Sequence, residues 1–304
     1  MTAPLRLATR KSQMALAQTE QVAALLQQTG MTTQLLPLST KGDEILDRPL
    51  AEVGGKALFI KGLEVALLSD QADMAVHSMK DVPADLDSRF AIVAVLARPT
   101  AFDAFVSDQY VRLTDLPAGA IVGSSSPRRH AQLKLYRPDL QIRPVRGNVV
   151  TRMQKMRQGE FDALILSAAG LARINRSGCI QHVLNPPDFV PAAGQGAICV
   201  EVLRERLPEL GPLLSVLNDQ ASYQATGAER EMVKALQGDC HSPIAAYAVC
   251  NGNRINLTGC VMSVSAQKII HATEEADVGQ WQQLGRSVAQ CLNDQGAQQL
   301  LGLK

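Results

Sequence analysis

Apolar residues alternate or recur at helical spacing along most of the chain, and the two periods divide it into strand–helix units. Leu5 to Thr9 predicts a strand. Ser12 predicts the cap of a helix whose apolar positions Ala15, Leu16, Val22, Leu25 and Leu26 share one face until Gly30 ends it. Thr33 to Ser39 predicts a second strand, and an irregular, glycine-punctuated stretch from Thr40 to Gly55 precedes a helix from Ala57 to Leu68. That stretch is long enough for a lid and equally readable as an ordinary surface loop. The apolar run Met74 to Val76 then ends in His77-Ser78-Met79-Lys80-Asp81-Val82-Pro83, a polar shelf where a strand would stop. In an open α/β sheet the carboxyl ends of the strands face the ligand, so Lys80 and Asp81 are well placed for a substrate. The plainer reading is two solvated loop charges. Phe90 to Ala97, almost wholly apolar, predicts a buried strand.

The pattern restarts around Arg98 to Thr100, which marks a second domain. Ala120 to Gly123 predicts a strand, Ser124 to Ser126 supply hydroxyls and a cap, and Pro127 opens a helix with Arg128 and Arg129 in its first turn. Cations there oppose the helix dipole, so local stability does not account for them. Arg143 and Arg146 follow the next strand, Asn148 caps a helix bearing Arg152, and Arg173 comes just beyond the strand Phe161 to Ser167. After a turn-rich linker from Pro186 to Gly196, Ala197 to Val202 predicts a strand returning to the first sheet. Ala225 to Leu236 predicts an amphipathic helix. The loop Gln237 to Pro243 leads to strands near Ile244 to Val249, Arg254 to Met262 and Lys268 to Thr273, with a closing helix from Gly279 to Asp294. The resulting division is 1–97 with 197–216 as a first α/β lobe, 98–196 as a second, and 217–304 as a smaller α+β unit.

Composition changes the picture only locally. The 304 residues carry 30 Lys plus Arg against 29 Asp plus Glu, so the whole molecule offers no general attraction to nucleic acid or membrane. Between Ser124 and Arg157, however, nine cations stand against Asp139 alone. Their bias to Arg at strand ends favours planar carboxylate or phosphate ligands. A nucleic-acid groove is the rival, but Tyr136 is the segment's only aromatic for stacking. Six Cys without a C-x-x-C pair are too sparse for a disulfide framework or structural zinc, and His77 and His241 have no partners at ligand spacing. Five of them, Cys179, Cys199, Cys250, Cys260 and Cys291, read as small buried hydrophobes. Cys240, in a Gly-flanked, Pro-terminated loop beside His241, reads either as an accessible nucleophile or as an ordinary loop thiol. The first residues lack the apolar run of an export signal, so a soluble cytoplasmic protein is expected, with nothing demanding more than a monomer.

Taken together, Ala8-Thr9-Arg10-Lys11-Ser12, Val53-Gly54-Gly55-Lys56, His77 to Pro83, Gly123 to Arg129, Arg146-Gly147-Asn148, Ala193-Gly194-Gln195-Gly196-Ala197 and the Cys240 loop resemble the porphobilinogen deaminase (hydroxymethylbilane synthase) family. Asp239 and Ser242 depart from its usual pattern, a small residue before the cysteine and an apolar residue or Thr two positions after it. The resemblance implies two βα lobes like those of periplasmic binding proteins. It implies an enzyme joining four porphobilinogen molecules head to tail, with release of ammonia, into the linear tetrapyrrole hydroxymethylbilane. A dipyrromethane cofactor on a thioether to Cys240 follows from it, with Lys80, Asp81, Ser124, Ser125, Arg128, Arg129 and Arg173 around the cofactor. Arg10, Ser12, Arg146, Arg152 and Gln195 are implied for substrate and growing chain, Asp81 for catalysis, and Lys56 and Phe59 for a lid. The competing readings are a two-lobed anion receptor, which needs neither the thiol loop nor Asp81, a nucleic-acid binder, a Cys-His hydrolase, and a Schiff-base enzyme using Lys80.

Overall fold

The computed structural model describes residues 3–39, 60–239 and 241–303. The stretch 40–59 expected to form a lid, with Lys56 and Phe59, and Cys240 itself lie outside the described residues. The chain divides into two compact units, Met1–Pro99 with Ala197–Tyr223, and Thr100–Gly196 with Gln224–Lys304.

The first unit is built on a five-stranded sheet. Strand β1 (Leu5–Arg10) pairs in parallel with β2 (Thr33–Leu38) and β3 (Met74–Ser78). The β10 strand (Ile198–Leu203) runs antiparallel between β3 and β4 (Phe90–Val95), so the segment after the linker does return to this sheet. Helix α1 (Gln13–Gln28) starts where Ser12 accepts a hydrogen bond from the Ala15 N–H at 3.3 Å. Its buried Val22 and Leu26 pack with Leu7, Val76 and Val200 on one face of the sheet. Helix α2 (Lys61–Leu68) covers the other face, where Leu63 and Leu67 meet Ala8, Ala75 and Phe90. Just before the start of β3, Asp73 accepts from Arg6 and Arg206. Burial works to raise its carboxyl, but those two hydrogen bonds prevail and hold it at about 2.

The second unit holds a second five-stranded sheet of like design. Its β6 (Ile121–Gly123) lies parallel to β7 (Gln141–Arg143) and β8 (Ala163–Ser167). Strand β5 (Asp103–Val106) is antiparallel to β8 and to β9 (His182–Leu184). Helices α3 (Pro127–Tyr136), α4 (Val149–Arg157) and α5 (Ala168–Arg173) each follow a strand, capped by Ser126, Asn148 and Ser167 respectively. The same unit contains an antiparallel sheet of β11 (Ile244–Asn251), β12 (Arg254–Met262) and β13 (Ile269–Asp277). Helix α8 (Trp281–Asp294) buries Leu284, Val288 and Leu292 against it. Two shorter helices complete the description, α6 (Leu207–Leu214) in the first unit and α9 (Ala297–Leu301) in the second, together with α7 (Gln220–Ala235).

Candidate active site

In the first unit, β3 does not stop at Val76 as its apolar run suggested. His77 and Ser78 continue the strand, and His77 is buried rather than part of a polar shelf. Its Nε2 lies 2.9 Å from Oε2 of the buried Glu201 on β10, a partner 124 positions away that local periodicity cannot reveal. The chain leaves the sheet only at the 3₁₀ turn Met79–Asp81. Met79 is buried, Lys80 half-buried and the Asp81 side chain exposed. The Met79 N–H donates to Ala197 O at 3.0 Å, and Gln18 from α1 donates to Ser78 Oγ at 2.8 Å. Arg10 ends β1 and is half-buried, and Ser12 serves as the α1 cap.

In the second unit the cations after the strands are not equivalent. Arg128 and Arg129 are buried and converge on Asp103, the first residue of β5. Arg128 Nη2 reaches Asp103 Oδ2 at 2.7 Å, while Arg129 Nη2 and Nε reach Oδ1 at 2.6 and 2.9 Å. Arg128 Nη1 also donates to Val190 O, and Arg129 Nη1 to Ile165 O. Gln195 joins from the linker, its amide donating to Asp103 Oδ1 at 3.0 Å and to Ala101 O at 2.7 Å. Burial alone would raise the Asp103 carboxyl, but the charges of Arg128 and Arg129, with hydrogen bonds from Arg129 and Gln195, hold it well below the usual carboxylate range. This ion cluster supplies the local stabilisation that the helix dipole denies Arg128 and Arg129. One donor is left over, the buried Nε of Arg128, without a hydrogen-bond partner among the described residues.

Arg146, Arg152 and Arg173 differ. They are half-buried, and among the described residues none has an ion-pair partner. Burial, then the charges of Arg129 and Arg146, push Arg152 down to about 10, and burial pushes Arg173 down to about 10. Arg152 Nε donates to Gly147 O at 2.8 Å, and Arg173 Nη2 to Gly196 O at 2.5 Å. Ser124 is buried at the end of β6, and Ser125 Oγ donates to Val145 O at 2.8 Å. On either side of position 240, Asp239 and Ser242 bond each other. The Ser242 hydroxyl donates to Asp239 Oδ1 at 2.9 Å and accepts from the Asp239 N–H at 3.0 Å. The two departures from the family pattern are thus a matched pair spanning the thiol position.

Residues 5–208 match the family described as porphobilinogen deaminase, dipyromethane cofactor binding domain, and residues 223–294 match the porphobilinogen deaminase C-terminal domain. The chain belongs to the porphobilinogen deaminase family. It is 48% identical over 299 residues to the porphobilinogen deaminase of Xylella fastidiosa strain 9a5c, covering 98% of each chain. Identity and coverage are the same with that of Xanthomonas euvesicatoria pv. vesicatoria. Among solved structures, a periplasmic substrate-binding protein of an ABC transporter from Coxiella burnetii aligns with TM-score 0.43 and 13% identity, covering 70% of this chain and 91% of that one. The periplasmic aliphatic sulphonate binding protein of Escherichia coli aligns with TM-score 0.41 and 16% identity, covering 78% and 71%.

As a porphobilinogen deaminase the protein is a transferase of tetrapyrrole synthesis, condensing four porphobilinogen molecules into hydroxymethylbilane with loss of ammonia and using a dipyrromethane cofactor. The donors of the second unit fit such a group. Each pyrrole carries acetate and propionate, and the half-buried guanidiniums without acidic partners, with the leftover Arg128 Nε, call for carboxylates. Among the described residues no helix is long and apolar enough to cross a membrane, and no group of three or more His, Cys, Asp or Glu could hold a metal ion. Sequence reasoning missed Asp103, Glu201 and Glu229. Glu229 is a buried carboxylate on α7 that accepts from the Gly194 N–H at 2.7 Å and the Ala248 N–H at 2.8 Å, so it fixes the glycine turn beside Gln195. The only advance signal was an acidic residue in an otherwise apolar strand, as at Glu201 within Ile198–Leu203.

Proposed function

We propose that Asp81 is the catalytic group of this deaminase and that Cys240 carries the dipyrromethane through a thioether. Lys80, Ser124, Ser125, Arg128, Arg129 and Arg173 hold the cofactor's carboxylates, while Arg10, Ser12, Arg146, Arg152 and Gln195 position the incoming ring and the growing chain. When bound, the dipyrromethane supplies the primer ring to which each porphobilinogen is joined. In each coupling ammonia would leave the incoming porphobilinogen and the free α-carbon of the terminal ring would bond to the carbon that held it; a carboxylate beside the ring N–H would stabilise the positive charge and carry away the proton that this α-carbon sheds. Asp81 suits this work because its side chain is exposed at the carboxyl end of β3 on a turn anchored by buried Met79. The charge balance of 30 to 29 offers no general attraction to nucleic acid or membrane, and a monomer acting in the cytoplasm on a small acidic substrate completes this reading.

The observation that carries the reading is the set Arg146, Arg152 and Arg173, half-buried with no acidic partner among the described residues. A cation desolvated without a counter-charge costs stability, so its ligand lies outside the chain. The test replaces Arg152 and Arg173 singly by Gln. Each variant keeps or raises the melting temperature, while kcat/KM for porphobilinogen falls by about tenfold or more, the loss of at least one charge-assisted hydrogen bond of about 1.5–3 kcal/mol. Unfolding of both variants, or unchanged kinetics, would assign the guanidiniums to the fold instead.

A further inference from the structure

The buried pair His77–Glu201 has no part in the chemistry just proposed. The two side chains meet at 2.9 Å on the α2 face of the first sheet, and Glu201 Oε1 has no hydrogen-bond partner among the described residues. Burying two ionisable groups and leaving one oxygen unsatisfied is a poor way to stabilise a sheet, since two apolar side chains would pack there at no greater cost. What such a pair does well is select one alignment among several. In the β3–β10 ladder His77 stands opposite Cys199 and Glu201 opposite Ala75, so the pair spans a diagonal on one face. A slip by two residues in one sense would keep the same side chains facing inward and carry His77 and Glu201 four positions out of step, breaking this contact, whereas the opposite slip would set the two directly across from each other. The ladder on the other edge of β10 cannot do the same, because its register shifts between Val200 and Glu201.

The next steps of the β3–β10 ladder are Ser78 opposite Ile198 and the hydrogen bond from the Met79 N–H to Ala197 O. After them the chain turns out of the sheet with Lys80 and Asp81. Glu64 on α2 senses the same pair. Its carboxyl is raised by burial and then by the charge of Glu201, with Asp87 adding to the rise and His77 and Arg89 opposing it.

We propose that His77 and Glu201 are positioning residues for Asp81: their buried contact guards the register of β3 on β10 against the slip that would part them, and with it the point at which the turn bearing Lys80 and Asp81 leaves the sheet. This inference rests on the assignment of Asp81 as the catalytic group. It gives the pair no contact with substrate and no proton to transfer.

The experiment compares Glu201→Gln, the double replacement His77→Leu with Glu201→Met, and each of these combined with Asp81→Asn. Steady-state kinetics and intact-protein mass are measured on all of them. The apolar double variant is expected to melt at or above the wild-type temperature and to keep the mass excess of the bound cofactor. Its kcat should nevertheless fall about 10- to 100-fold with little change in KM, because a carboxylate displaced by about an ångström loses its alignment. Added to Asp81→Asn, the same changes are expected to cost nothing further, since they act through Asp81. Unchanged kcat in a folded double variant, or losses that multiply with that of Asp81→Asn, would overturn the inference. Full turnover in Asp81→Asn alone would instead overturn the catalytic assignment and be recognised as such. If the apolar pair fails to fold, Glu201→Gln, which keeps volume and a hydrogen-bonding group, decides by the same kinetics.

Discussion

Asp81 and Asp73 flank β3 in the first unit, one exposed and the other buried, and their surroundings give them different work. Asp73 accepts from two arginines and lies at about 2, so the folded state binds protons there less readily than the unfolded chain, whose carboxyl titrates near 3.8. A depressed folded-state value adds stability that is fully present above the unfolded value and is lost as pH falls through the folded one. Wild-type stability attributable to this site is therefore expected to decline between about pH 4 and pH 2, and Asp73→Asn to be less stable at pH 7 with a flatter acid limb, measured by urea unfolding across pH. Asp81, exposed on its turn, has a different expected signature. Asp81→Asn should fold normally and retain the covalent cofactor, yet lose turnover by about 10²- to 10⁴-fold, read by hydroxymethylbilane formation beside intact mass. A variant that turns over at the wild-type rate would remove Asp81 from the mechanism.

At the scale of elements, the linker that ends in Gly194-Gln195-Gly196 binds the second unit together. Glu229 on α7 holds the Gly194 N–H, Gln195 reaches Asp103 at the start of β5, and Arg173 at the end of α5 donates to Gly196 O. Gly196 has φ +85°, and an added Cβ would collide with the Thr100 carbonyl oxygen. Gly196→Ala is expected to cost about 1–3 kcal/mol in a denaturant melt and to lower cofactor content by displacing Arg173 and Gln195 together. Wild-type stability and loading would contradict that role for the turn. This element also marks how much was legible in the sequence. Strand β1, the Ser12 cap, the Pro127 helix start and the return of β10 to the first sheet are written in local periods and caps, and they fold as expected. Strands β5 and β9, of four and three residues, are too short to carry a period. The partners of Arg128, Arg129 and His77 stand 25, 26 and 124 positions away, so the sequence marked these side chains without saying what holds them. The thiols match the expected small buried hydrophobes only in part. Cys199 and Cys260 are buried, but Cys179, Cys250 and Cys291 are only half so.

Over the whole molecule charge is nearly balanced, 30 against 29, and the binding chemistry lies in where the cations sit. Asp103 neutralises part of the Arg128–Arg129 charge, whereas Arg146, Arg152 and Arg173 have no ion-pair partner among the described residues, which is the ground for proposing a ligand rich in carboxylates. The thiols can be separated in the same way. Burial pushes Cys260 up to about 12, which leaves it a poor nucleophile at neutral pH, while Asp239 and Ser242 fix the backbone on either side of Cys240. The central claim is that this deaminase works from a primer built of its own substrate and tethered at Cys240. Intact-protein mass spectrometry of the wild type and of Cys240→Ala tests it most directly. The account predicts a covalent excess equal to two condensed porphobilinogen units in the wild type and the bare polypeptide mass in the variant, with turnover lost. An excess that persists in Cys240→Ala, or a wild type fully active at its bare mass, would contradict it.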